Sequence, residues 1–201
     1  EVIIPQPSYV CYEPITSLAG GVPVIINTKA ENDFKVTPEK LRAAITPKTK
    51  LLVLSYPNNP TGGIMTEEDL RKIADVLKDT NIVVLTDEIY GELTYGRKHF
   101  SFAALPDMWD RTIYVGGFSK SYAMTGWRIG YTASDARIAK IMANVQSHAT
   151  SNPNSIAQKA TIAALDGPME TVLAMKEEFD KRRLYMVERM NNIDGISALK
   201  P

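Results

Sequence analysis

The chain has one cysteine, Cys11, in 201 residues. An internal disulfide is therefore excluded, and so is a zinc site built on paired thiolates. Histidine is almost as scarce. His99 and His148 are too few and too far apart to form a metal-binding set, and each is read as structural; no metal is expected. Net charge is also absent, since Lys plus Arg number 23 and Asp plus Glu number 23. No long-range field draws such a chain to nucleic acid or to an anionic membrane. Apolar runs such as 51–54 fall far short of the roughly 20 residues that span a bilayer. No signal-peptide pattern opens the sequence, so the cytoplasm is the expected location. Internal repeats and low-complexity tracts are missing too. What is present is the composition of a globular enzyme domain, 44% hydrophobic and 23% charged, able to bury a sizeable core and suited to a small-molecule partner.

Strand and helix patterns alternate along the chain. Apolar, β-rich segments at 1–4, 22–26, 51–55, 82–86 and 112–115 read as strands, the central ones continuously apolar as parallel strands are. Between them, 9–18 reads as a helix. Thr37-Pro38-Glu39 starts another with a capping hydroxyl and proline at the first helical position. Thr66-Glu67-Glu68-Asp69 starts a third, whose Leu70, Ile73, Ala74 and Leu77 share one face. Such alternation implies right-handed βαβ crossovers, an α/β fold and a mainly parallel sheet. Residues 127–132 add a strand. Beyond it, Ser134 or Asp135 caps a helix carrying Ile138, Ile141, Met142 and Val145, and 155–165 forms another. A long helix begins at Pro168, with Val172, Met175, Phe179, Met186 and Met190 at helical spacing. Core packing accounts for those methionines, and solvation for the basic strip Lys181-Arg182-Arg183.

The segment 119–131, SKSYAMTGWRIGY, concentrates the chemistry. Lys120 follows the strand at 112–115 and a flexible Gly116-Gly117 turn. Its amine thus emerges at a strand's carboxyl end, where open α/β sheets place ligands. A lysine in an apolar cleft near other cations loses part of its proton affinity and becomes a nucleophile toward carbonyls. Arg128, eight residues on, carries the planar fork that suits a phosphate dianion. Aldehyde plus phosphate points to pyridoxal 5'-phosphate. The segment resembles the cofactor-lysine signature of the fold-type I, class I/II aminotransferases, S-K-x-[YF]-x-[ML]-x-G-x-R-[IVL]-G.

Three further matches follow in chain order, each after a predicted strand. Asn59 in Pro57-Asn58-Asn59-Pro60-Thr61-Gly62-Gly63 occupies the family's N-P-T-G asparagine, whose amide bonds the cofactor's phenolic oxygen. Asn-Pro turns are commonplace for local reasons, and it is the combination that carries weight. Asp87 in Asp87-Glu88-Ile89-Tyr90 matches the carboxylate that keeps the pyridine nitrogen protonated as an electron sink. Tyr90 matches the tyrosine that joins Asn59 at the phenolic oxygen. Glu88 is expected to face away, into packing or a structural ion pair. In Pro5-Gln6-Pro7-Ser8-Tyr9 the aromatic ring that stacks on the pyridine is Tyr9, with Tyr12 the nearby alternative. One departure stands out: many relatives place a phosphate-binding serine where this chain has Gly117, so Ser119 is the candidate in its stead.

The resemblance implies a three-layer α/β/α fold, the large domain of a fold-type I pyridoxal-phosphate transferase, over 1–168. The helix from 169 to 201 then leads toward a smaller domain. The chain is expected to be a fragment, inactive alone and homodimeric when full length. The implied activity moves an amino group between an amino acid and a 2-keto acid through a Schiff base on Lys120. Lys120 and Asp87 are the catalytic pair, and Tyr9, Asn59, Asp87, Tyr90, Ser119, Lys120 and Arg128 hold the cofactor. Two alternatives remain open: a carbon–sulfur β-lyase of the same fold, and a non-catalytic ligand-sensing domain of a transcription regulator.

Overall fold

Strands apolar on both faces must be covered on both, and parallel neighbours need long crossovers; together these demands dictate the architecture. The computed structural model describes residues 1–201. Six strands form one sheet: β1 (Val2–Gln6), β2 (Pro23–Asn27), β3 (Leu51–Ser55), β4 (Val83–Asp87), β5 (Thr112–Gly117) and β6 (Gly130–Ala133). Their order is β2-β1-β3-β4-β5-β6. Every pairing is parallel except β5 with β6. The helices are α1 (Tyr12–Leu18), α2 (Pro38–Ala44), α3 (Glu67–Leu77), α4 (Ala136–Thr150), α5 (Ser155–Asp166) and α6 (Glu170–Asn191).

The chain steps from β1 outward to β2, then crosses back past β1 to β3 and continues in that direction. With right-handed crossovers this reversal puts α1 on one face of the sheet and α2 and α3 on the other. The packing agrees. A core of 16 buried residues joins Ile3, Leu52, Leu54 and Val84 of the strands to Leu41 of α2, to Leu70, Ile73 and Leu77 of α3, and to Phe102, Leu105 and Met108. Strand alternation sends Ile4 and Val53 to the opposite face, where both are buried. Helix starts follow their local chemistry. Thr37 caps α2 by accepting from Lys40 N. Thr66 and Asp69 form a reciprocal capping box at α3, with bonds of 3.2 and 2.9 Å.

Four expectations need correction. Gly116 and Gly117 are not a turn; they close β5 and pair with Tyr131 and Gly130. A Cβ on Gly116 would lie 2.7 Å from the Tyr131 ring and 2.8 Å from Tyr114, so the glycine makes room for the stacked pair of tyrosines, 5.9 Å apart. The helix predicted from 9 begins at Tyr12, its first bond running from Ile15 N to Cys11 O. The strand predicted from 127 begins at Gly130, because Thr125–Trp127 closes a 3-10 turn and Arg128 then adopts a left-handed φ of 51°. Lastly, core packing does not account for the methionines of α6. Met186 and Met190 are 56% and 40% exposed, and Val172 is the helix's one buried residue.

That exposure is general. The accessible surface is 12448 Å², whereas a folded monomer of this mass exposes about 9,400 Å². Large apolar side chains on α4, α5 and α6 are part of that exposed surface: Ile141, Val145, Ile156, Leu165 and Leu173 all face out.

The core also contains an ionisable group. Tyr56 Oη donates to Phe34 O at 3.0 Å and accepts from Val36 N at 3.1 Å. Burial, more than the nearby Asp69 charge, pushes its phenol far above the ordinary tyrosine value, against the Val36 hydrogen bond. The folded-state value is raised, so its stabilising contribution is complete below about pH 10 and declines above it, where only the unfolded chain ionises this phenol. The expected slope is at most about 1.4 kcal/mol per pH unit for one tyrosine. Urea midpoints should therefore fall between pH 9 and pH 11, and Tyr56→Phe should flatten part of that decline.

Candidate active site

Alternation along the strands decides which side chains meet at the sheet's carboxyl edge. Leu52 and Leu54 of β3 and Val84 of β4 face the core, so Ser55 and Asp87, the last residues of their strands, face the other way, toward α1. Register makes these two direct neighbours, Ser55 beside Asp87. β1 pairs with β3 only at Val2 and Ile3, so the two strands separate toward their carboxyl ends. That gap lies at the point where strand order reverses, the usual crevice of open α/β sheets.

A cavity of about 210 Å³ opens there, and all seven predicted site residues line it: Tyr9, Asn59, Asp87, Tyr90, Ser119, Lys120 and Arg128. Lys120 Nζ stands 5.6 Å from the centre of the Tyr90 ring. Tyr9 is half exposed at the rim. Asn59 owes its availability to Asn58, whose own amide donates to Ser55 O and accepts from Thr61 N and Oγ1. The buried asparagine braces the turn, and its neighbour is left to the cavity. Arg128 Nη1 donates to Thr125 O at 2.9 Å, and Thr125 Oγ1 donates to Ser119 O at 3.0 Å, tying the lysine's turn to the arginine's. A left-handed φ on a non-glycine residue costs about 1–3 kcal/mol and concentrates at functional positions; Arg128 has one.

Four lining residues were not foreseen in these roles: Tyr12, Ser55, Ile89 and Thr125. Tyr12, the alternative stacking ring, stands at 76° to the ring of Tyr9. Its hydroxyl donates to Asp87 Oδ2 at 2.6 Å. Burial first, then the Asp87 charge, holds the Tyr12 phenol far above its ordinary value. Asp87 Oδ1 accepts from Ile89 N at 3.1 Å. The one cue in the sequence was position: Ser55 and Asp87 each end a predicted strand.

Glu88 behaves differently from Asp87 because it lies one residue further along. It returns to the core side, its side chain only 2% exposed. There it accepts from Thr86 Oγ1, Ser101 Oγ and Phe102 N, and pairs with His99 Nε2 at 2.6 Å. A wider cavity of about 520 Å³ adjoins Glu88 and His99 but contains none of the seven.

The donor set of the smaller cavity suits pyridoxal phosphate. An amine answers the aldehyde, a carboxylate the ring nitrogen, a phenol and an amide the phenolic oxygen, and a guanidinium the phosphate.

Comparison with known proteins points the same way. The family described as "Aminotransferase class I and II" matches residues 1–201. Aspartate aminotransferase of Geobacillus stearothermophilus is 46% identical over 203 residues, covering 100% of this chain and 52% of the relative. Its Bacillus subtilis counterpart is 47% identical with the same coverage. The crystal structure of aspartate aminotransferase from Rhizobium meliloti superposes with a TM-score of 0.96 at 41% identity, over 100% of this chain and 51% of that one. The chain thus spans about half the length of the curated relatives it matches.

The Glu88 cluster yields a prediction. Glu88→Ala strips acceptors from four donors at once, and one buried unsatisfied group costs about 1–3 kcal/mol. Thermal denaturation should register a fall of roughly 4–10 °C at about 2–4 °C per kcal/mol. Glu88→Gln, which keeps one acceptor oxygen, should lose less.

Proposed function

Because the chain belongs to the family of class I and II aminotransferases, we propose that the whole protein moves an amino group between an amino acid and a 2-keto acid, with pyridoxal 5'-phosphate held in the Lys120 cavity. One observation carries the reading: seven residues drawn from four strand ends meet around one cavity, and each offers a group the cofactor needs. When bound, pyridoxal phosphate supplies a carbonyl that amines attack and a ring that withdraws electrons from the substrate carbon.

The protein's own groups then divide the work. Lys120 Nζ would hold the cofactor at its carbonyl, and the same amine is placed to carry the substrate's α-proton. Asp87 presents its carboxylate to the ring nitrogen and favours the protonated form. Asn59 and Tyr90 would donate to the phenolic oxygen, Tyr9 would cover the ring, and Arg128 with Ser119 would hold the phosphate. The relatives named for aspartate make it the first amino donor to test.

Domain limits and assembly belong to the same proposal. The sheet and all seven residues fall within 1–168, while α6 buries only Val172 and ends at Asn191 instead of running to 201, which supports reading 169–201 as a helix and a short non-helical tail leading toward a second domain. The apolar surface of α4 to α6 supports a homodimer. No helix is long and apolar enough to cross a membrane. We assign the protein to the cytoplasm, acting on small molecules rather than nucleic acid.

Borohydride reduction of the whole protein with pyridoxal phosphate, followed by peptide mapping, should place the adduct on Lys120. Lys120→Ala should remove both the adduct and turnover. Asp87→Ala should retain some cofactor binding with turnover lowered at least about a hundredfold, the scale of losing one group that stabilises charge developing in the transition state. Keto acid formed without pyruvate and ammonia release identifies transamination; an unlabelled Lys120, or full activity in Lys120→Ala, would sink the reading.

A further inference from the structure

We propose that Tyr12 is a positioning residue: with Ser55 behind it, its hydroxyl fixes the Asp87 carboxylate and thereby governs how that carboxylate meets the cofactor's ring nitrogen. The inference rests on the cofactor reading above and assigns Tyr12 a role other than stacking.

Tyr12 Oη lies 2.6 Å from Asp87 Oδ2 and 3.2 Å from Ser55 Oγ. A phenol has a single proton. The shorter contact, to a carboxylate, takes it, so the serine hydroxyl is the donor in the longer one. The result is a directed chain, Ser55 to Tyr12 to Asp87, in which each hydrogen bond polarises the next. Protonation of Tyr12 is secured by its setting, since burial and the Asp87 charge both oppose its ionisation.

Tyr12 is also the only side chain that donates to Asp87. The carboxylate's other bond comes from Ile89 N, two residues away in the same turn. That local bond leaves the carboxylate tethered at one oxygen. The tyrosine, 75 residues away in sequence, supplies the second tether and couples the orientation of Asp87 to α1. With a donor on each oxygen, the planar carboxylate is fixed about its bond to Cβ, and its remaining lone pairs point in set directions. Tyr9 leads into the helix that carries Tyr12, so the aromatic plate and the carboxylate's tether come from one segment.

Because Tyr12 acts through Asp87, its effect should appear at the ring nitrogen and in the chemical step. The test uses the whole protein loaded with ring-15N pyridoxal phosphate, as the parent, Tyr12→Phe and Ser55→Ala. The parent should give a pyridinium-like nitrogen resonance. Tyr12→Phe should move it toward neutral pyridine and lower kcat about tenfold or more, the scale of one hydrogen bond to a charged group. KM for the amino donor should stay within about twofold, because ground-state binding is untouched. Ser55→Ala should move the resonance the same way by less. A folded Tyr12→Phe protein with the parent's resonance and kcat overturns the inference. If Tyr12→Phe does not fold, Ser55→Ala decides: a shifted resonance supports the chain of donors and an unmoved one refutes it. A parent that forms no adduct at Lys120 removes the cofactor reading itself, and the tyrosine's role with it.

Discussion

The pairing of β3 with β4, five residues in unbroken parallel register, is the constraint on which the site depends. It sets Ser55 and Asp87 side by side at the same edge of the sheet and, through alternation, turns both toward α1. A slip of one residue would reverse every side chain, sending Asp87 into the core and Glu88 to the crevice. The core opposes such a slip of β4 because Val84 and the adjacent Ile82 would leave it together. Burial of apolar surface thus enforces the placement of two polar groups that contribute nothing to that burial.

Two adjacent acids show how strongly environment separates identical chemistry. Asp87 and Glu88 each carry one carboxyl. Glu88 is enclosed by four donors on the core side and bound to structure. Asp87 has two donors, one of them local, and lines a cavity. A carboxylate with its lone pairs filled by protein donors has little to offer a ligand, whereas one partly filled at a cavity wall does.

The same logic separates Asn58 from Asn59 and bears on how Arg128 is held. Asn58 braces its turn and leaves Asn59 to the cavity, and Thr125, three residues before Arg128, accepts from the guanidinium while its own hydroxyl braces Ser119. Exposed apolar faces on α4 to α6 are the converse, surface that the fold presents without covering it.

Local patterns carried much of the fold. Apolar runs, caps at Thr37 and Thr66, and helical spacing on α3 specify element type and order because period and capping are properties of neighbouring residues. The motif residues at strand ends were legible for the same reason: Lys120, Asp87 and Asn59 sit at fixed offsets from short apolar runs. Tertiary structure decided what depends on residues far apart. It placed Gly116 and Gly117 at a strand end, where the cross-strand tyrosine pair requires the space at position 116. It left Met186 and Met190 outside the core, since helical spacing defines a stripe but not what lies against it. And it brought Tyr12 to Asp87 across 75 residues of sequence, through a crossover and a strand register that no local pattern encodes.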